Sequence, residues 1–392
     1  MGYVLLGTIF NVPSRWLDAL IRIVFITLLV TVNTLVMTYA ERKVIGRMQA
    51  RLGPTRTGPA GMLQPLADAL KLLTKEDLRP RLADRWVFEL AVYLVFVPVF
   101  LAFVALPYAH DWGIRFLDLG LFYIVAVLGV NIVGWMMAGW GSDNKYALLG
   151  GVRAVAQMIS YEIPLIVAVL CVAMVTGTLD IRAIIEQQNA WPLIVYQPLP
   201  AFLFIVAMLA ELNRQPFDIA VAESEVVGGV TIEYSGIRWS LFQLAEYSAL
   251  FVLSVLFSAL FLGGYAWPGA LHAFNTGFPT WIPQLLLTFI KTSVIMVSMI
   301  VIRGSLPRMR IDQLMSLAWK LLIPVAFVQL FADGWILVYH PFGWGLIIGV
   351  VSSILLGFLV FTIGARFQRL SQRAPREERL EYVRKAMAGR SA

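Results

Sequence analysis

The stretch AVAQMISYEIPLIVAVLCVAMVT, residues 154–176, decides the fold. It is long enough to cross the roughly 20-residue hydrocarbon core as a helix, and one carboxylate, Glu162, sits inside it. Working outward, apolar runs of similar length recur at 17–40, 87–107, 117–140, 192–212, 237–262, 281–302, 314–339 and 343–365. Backbone groups in lipid have no water to bond, so such runs close their hydrogen bonds internally as helices. The period-two alternation that a membrane barrel needs is absent. The expected fold class is therefore an all-α integral membrane protein with about nine transmembrane helices.

Composition agrees. The chain has 392 residues, 59% hydrophobic and only 14% charged, whereas soluble domains carry about 25% charge. Twelve Trp and thirteen Tyr suit a protein with two membrane interfaces to anchor. The first apolar run follows Arg15 and Arg22 and is long enough to span, so it reads as a retained helix rather than a cleaved signal.

The net charge of +7 comes from basic connections between apolar spans, not from a nucleic-acid-binding face. About ten Lys and Arg fall in 42–85, Arg303, Arg308 and Arg310 in another connection, and about eight more from Arg366 onward. With nine spans these segments share one side. The positive-inside rule makes that side the cytoplasm, with the C-terminus there and the N-terminus outside. The chain divides into a membrane domain, 1–365, and a basic polar cytoplasmic tail, 366–392.

One helix is expected to lie on the membrane. In 61–76, Gln64, Asp68, Lys71 and Lys75 share one face, while Met62, Leu63, Leu66, Ala69, Leu70 and Leu73 cover the rest. This is an amphipathic interfacial helix on the cytoplasmic side.

Charged residues inside spans cost roughly 2.5–3.5 kcal/mol each even on lenient scales, so several together carry meaning. Glu162, Glu211, Glu246, Lys291, Lys320 and Asp333 occupy or end apolar runs. Taken singly, each reads as readily as a structural ion pair or snorkelling end residue as it does as a functional group. The richest segment is AELNRQPFDIAVAESEVVGGVTIEYSGIRWSLFQLAEY, residues 210–247. Its acids are Glu211, Asp218, Glu223, Glu225, Glu233 and Glu246, against only Arg214 and Arg238. Carboxylates crowded in a dry setting titrate as a coupled set, which a proton relay requires. The bland alternative is a solvated acidic loop, against which Phe217, Val226, Val227 and Ile232 argue. Pro216 breaks the helix and Gly228 and Gly229 free the backbone.

No catalytic set is evident. Cys171 is the only cysteine, so neither an internal disulfide nor a Cys-ligated cluster is available. His110, His272 and His340 are isolated, without metal spacing. No residue is assigned as catalytic, cofactor-binding or metal-binding.

Four blocks carry a resemblance: AERKVIGRMQARLGPTRTGPAGMLQPLADALKLLTKE at 40–76, GWGSDNKYALLGGVRAVAQMISYEIPL at 139–165, AELNRQPFDIAVAESEVVGGVTIEYSG at 210–236 with AEY at 245–247, and RGSLPRMRIDQLMSLAWKLLIP at 303–324. In these blocks the chain resembles the family of the H subunits of bacterial NADH-quinone oxidoreductase (respiratory complex I), the family of mitochondrial NADH dehydrogenase subunit 1. The resemblance implies a bacterial inner-membrane subunit that forms a quinone chamber with peripheral-arm subunits. It also implies a part in proton translocation without a redox centre of its own. Quinone is then the substrate, and iron-sulfur clusters and FMN belong to partner subunits. By resemblance, Glu41, Arg42, Arg47, Gln64, Asp68, Lys71, Arg303, Arg308 and Arg310 line or support the quinone channel and its docking face. Glu162, Glu211, Asp218, Glu223, Glu225, Glu233 and Glu246 form the proton-coupling group, with Asp218 and Arg214 fixing the loop by pairing. Val221 and Ala222 stand where the family carries an acid, and the ninth span and basic tail exceed its eight-helix core. The rival readings are the homologous membrane subunit of a membrane-bound hydrogenase or formate hydrogenlyase, and a stand-alone ion transporter, which predicts inverted repeats.

Overall fold

A computed structural model describes residues 14–110, 112–188, 191–267, 281–339, 345 and 347–365. The basic tail, His272 and His340 lie outside the described residues. The helices are α1 (Ser14–Met48), α2 (Gln64–Thr74), α3 (Arg85–Ala102), α4 (Gly120–Gly129), α5 (Asn131–Gly141), α6 (Lys145–Thr176), α7 (Ile181–Gln187), α8 (Leu193–Tyr196), α9 (Pro198–Glu211), α10 (Glu223–Val226), α11 (Gly236–Phe261), α12 (Trp281–Ser305), α13 (Ile311–Leu317), α14 (Ile323–Tyr339) and α15 (Ile347–Ala365). A single π turn at Ala318–Leu322 joins α13 to α14. A short antiparallel ribbon, Pro107–Ala109 with Trp112–Gly113, is the only strand pairing among the described residues.

Eight helical stretches among the described residues are long and apolar enough to cross a bilayer. The chain is thus an all-α, multi-pass membrane protein. The run at 192–212 differs from the single span expected of it. It folds as two helices, the four-residue α8 and the 14-residue α9. Alone, α9 reaches about 21 Å, short of the roughly 30 Å core. The cause is local: Pro198 disfavours helical backbone at Gln197, which sits at φ −130°, ψ 61°. The span at 154–176 is instead longer than expected, because α6 starts at Lys145. There the Asn144 side chain caps it by accepting from the Tyr146 backbone N–H at 2.9 Å.

Lipid tails are as apolar as leucine, so burial alone does not drive these helices together, and close backbone packing must. At Gly134 of α5, a Cβ would meet Val95 of α3 at 2.7 Å, so only glycine permits that crossing. The centre of the bundle is α11, whose most apolar 18-residue window is 89% buried. Two of its buried hydroxyls bond to the helix's own backbone: Ser248 donates to the Leu244 carbonyl and Ser254 to that of Leu250, each at 2.6 Å. The interfacial helix α2 exposes Leu66, Leu70 and Leu73 by 47–60%, the apolar face expected of a helix lying in the membrane plane.

Candidate functional site

A cavity of about 320 Å³ lies where α1, the connection after α9, α11 and the end of α12 converge. Its walls hold three carboxylates, Glu41, Asp218 and Glu246, and three guanidiniums, Arg214, Arg303 and Arg308. Trp239, Phe242 and Tyr247 supply aromatic surface, and Gln243, one helical turn before Glu246, adds an amide.

The charges are bonded in a definite order. Glu41 accepts from Arg214 Nη1 at 2.9 Å, from the Tyr247 hydroxyl at 3.0 Å and from Arg303. Arg214 reaches Glu246 at 3.9 Å and lies over the Tyr247 ring at 4.7 Å. Asp218 accepts from Arg308 at 3.1 Å. Arg214 and Asp218 are both paired, Arg214 with Glu41 and Asp218 with Arg308. Burial opposes the Arg214 cation, yet Glu41, then Tyr247 and Glu246, outweigh it and raise its proton affinity above the ordinary guanidinium value. Burial lifts the Asp218 carboxyl above its usual value, against the opposing pull of Arg308, Arg303 and Arg214. Arg214 Nε and Nη2 are buried without a hydrogen-bond partner.

The connection that delivers these residues is pinned from α6. Gln157 Nε2 donates to the Ala210 carbonyl at 2.6 Å, the Phe217 carbonyl at 2.8 Å and Asn213 Oδ1 at 3.1 Å. The Tyr161 hydroxyl ties α6 to the Leu314 carbonyl of α13 at 3.1 Å. Further along, Val227, Gly228 and Gly229 all have positive φ. A Cβ at Gly229 would fall 1.8 Å from the Ala220 carbonyl oxygen, so glycine is obligatory there. Val227, β-branched at φ 56°, holds an unfavourable conformation that the surrounding packing imposes.

The acids do not form one crowd. Glu41, Asp218 and Glu246 share the cavity. Glu162 is near enough to act electrostatically on Glu211, and Glu211 Oε2 is buried without a partner. A second void of about 20 Å³, lined among others by Asn131, Glu211, Asn213 and Glu246, joins the two groups. It has room for about one water molecule. Gly129 makes space for Glu162, since a Cβ there would lie 2.7 Å from its carboxylate oxygen. Glu225 and Glu233 stand apart, the first accepting from Arg153 at 2.8 Å, the second from Asn144 at 2.7 Å. Glu223 opens the short helix α10.

Of the residues assigned to the channel and docking face, Glu41, Arg303 and Arg308 reach the cavity. Arg42, Gln64, Asp68 and Lys71 make a separate surface group: Asp68 takes Arg42, the Gln64 amide at 3.2 Å and Lys71 at 3.9 Å. Arg47 ends α1, and the Arg310 backbone N–H donates to Gln313 at the start of α13. Sequence reading passed over Tyr247, Trp239, Gln157, Arg153 and Asn144. An amide inside an apolar run was the available signal for Gln157. The others are ordinary residues until the fold sets them opposite charges. Among the described residues no group of His, Cys, Asp and Glu could hold a metal ion.

Comparison with known proteins shows the family. The sequence profile of the NADH dehydrogenase family matches residues 21–334. A protein of Dehalococcoides mccartyi strain CBDB1, named as the H subunit of NADH-quinone oxidoreductase, is 41% identical over 356 residues, covering 91% of this chain and 97% of that one. Proteins of the same name from Brevibacillus brevis and Geobacillus thermodenitrificans are 42% and 46% identical. They cover 86% and 74% of this chain, and 99% and 86% of their own.

Proposed function

This chain belongs to the NADH dehydrogenase family, as a membrane subunit of NADH-quinone oxidoreductase (complex I), and on that premise we propose that its charged cavity forms the membrane wall of the quinone chamber. One observation carries the reading. A cavity of about 320 Å³ falls in the size range of small-molecule sites, and aromatic rings line it beside a buried arginine with two unused donors. A quinone head group is flat, apolar on its faces and an acceptor at both carbonyls. Trp239, Phe242 and Tyr247 suit the faces, and Arg214 suits a carbonyl. Electrons come from a cluster in a partner subunit, and this chain supplies no redox group.

Coupling is electrostatic in this proposal. Reduction of the quinone and uptake of protons alter the charge on the connection holding Glu223, Glu225 and Glu233. The altered field passes through the Glu246 group, the intervening void and Glu211 to Glu162, and from there to other membrane subunits. The broken run at 192–212 counts as the ninth crossing in this proposal, so the basic connections and tail face the cytoplasm, with the N-terminus outside. The surface group of Arg42, Gln64, Asp68 and Lys71, with Arg47 and Arg310, supports docking of the peripheral arm.

Photolabelling of the assembled complex with an azido-quinone tests this. The label is expected on peptides containing Trp239 to Tyr247, with protection by excess native quinone. Labelling confined to other subunits, or insensitive to competition, would refute it.

A further inference from the structure

We propose that Asp333 is a second proton-binding site, distinct from the carboxylates of the cavity and held by two glutamine amides that can turn to suit either protonation state. Asp333 lies on α14 and is fully buried. Gln329, one helical turn earlier, donates Nε2 to Oδ1 at 2.6 Å. Gln197, at the break between α8 and α9, donates Nε2 to Oδ2 at 3.2 Å and to the Cys171 carbonyl at 3.1 Å.

Three observations point to a proton as the ligand. First, among the described residues no Lys, Arg or His pairs with Asp333, so no opposite charge offsets the desolvation of its anion and only neutral donors reach it. From α6 the titratable group facing it is Cys171. From α9 it meets only the neutral Gln197, and Glu211 lies at the far end of that helix. From α15, Ser352 bonds the neighbouring Leu199 backbone N–H at 3.0 Å. Second, both glutamines are fully buried, and the Oε1 atom of each has no hydrogen-bond partner. Third, both amides converge on the one carboxyl. With Asp333 ionised, each amide offers N–H and leaves an oxygen orphaned. With Asp333 protonated, its O–H donates to the oxygen of whichever amide turns over. The same three side chains therefore satisfy two proton counts. Helix α6 connects this site to the first: Cys171 is nine residues beyond Glu162, about 13–14 Å along the helix. That extends the line from Glu211 and Glu162 further across the membrane.

Infrared difference spectroscopy of the intact complex in H₂O and D₂O, titrated from about pH 5 to about pH 9, tests the site. A deuterium-sensitive carboxylic-acid band is expected in the wild type. It should vanish in D333N and persist in C171S. In Q329L and Q197L, which remove a donor to the carboxyl, its midpoint should move by about one pH unit or more. Identical spectra in wild type and D333N would overturn the proposal. If D333N does not assemble, the two glutamine variants decide, and an unmoved midpoint in both overturns it. No turnover is needed, so failure here leaves the quinone reading untouched.

Discussion

Replacing Glu41 with Gln removes one charge from a set of three anions and three cations. Arg214, whose side chain is only 8% exposed, then keeps Glu246 at 3.9 Å as its nearest anion. Removing one partner of a buried pair costs about 3–5 kcal/mol, because the other charge is left uncompensated. Arg303 is 29% exposed, so water relieves part of the loss, and about 3 kcal/mol is the appropriate figure. Carried into formation of the reactive site, that is roughly a hundredfold in rate. The assay is NADH-quinone reductase activity of the assembled complex, normalised to NADH-ferricyanide activity, which the peripheral arm supports alone. R214Q should be as damaging as E41Q. The double variant E41Q/R214Q restores the balance at two anions against two cations, so it should lose less than the product of the single losses, by a coupling of about 2 kcal/mol. Multiplicative losses, or single variants within about twofold of wild type, would refute the reasoning that the pair acts as one neutral unit.

Other substitutions probe the remaining acids. Glu225 pairs with Arg153 at the surface, and such pairs contribute about 0–1 kcal/mol. E225Q should therefore leave assembly intact yet lower protons pumped per quinone reduced, while R153Q leaves that ratio near wild type; equal ratios in the two would remove Glu225 from the coupling path. G129A places a methyl group 2.7 Å from Glu162 Oε1, so pumping should fall more than quinone reduction does in reconstituted vesicles. Burial lifts the Asp218 carboxyl, so its contribution to stability is complete below the unfolded value of about 3.9 and declines as pH rises through the lifted value. D218N, which cannot ionise, should flatten that part of the melting-temperature profile of the complex.

The membrane architecture was legible because length and apolarity suffice to define a span, and an interfacial helix shows its two faces directly. The break at Gln197 was the exception: Pro198 was visible, but the apolar run around it masked the interruption. The site was legible by residue type and not by partner. Glu41 and Arg214 are 173 positions apart, and no local pattern encodes that pairing. Nor does the crowding of six acids within 211–246 reveal that they separate into groups, with Glu225 and Glu233 set against Arg153 and Asn144 while Asp218 and Glu246 line the cavity. Asp333 stood out as a charge within a span, whereas its glutamine partners, one in another helix and one at a break, looked like ordinary polar residues.

The arrangement of charges bears on how far a local event can be felt. Two unit charges about 10 Å apart at an effective dielectric of about 20 interact by roughly 1.7 kcal/mol, more than a tenfold change in proton affinity. At about 20 Å the same interaction is halved, to less than a tenfold change. A charge change in the cavity can therefore alter the occupancy of a neighbouring carboxylate strongly and a distant one only weakly. Propagation across the bilayer then requires intermediate groups at spacings near the shorter distance. In the proposed series, Glu246 and Glu211 line one water-sized void and Glu162 is near enough to act electrostatically on Glu211. Had the cavity held an excess of either sign, the standing field would bias every member of that series permanently. Three carboxylates against three guanidiniums leave it near neutral when all are ionised, so a single proton gained or lost sets the sign of the local charge.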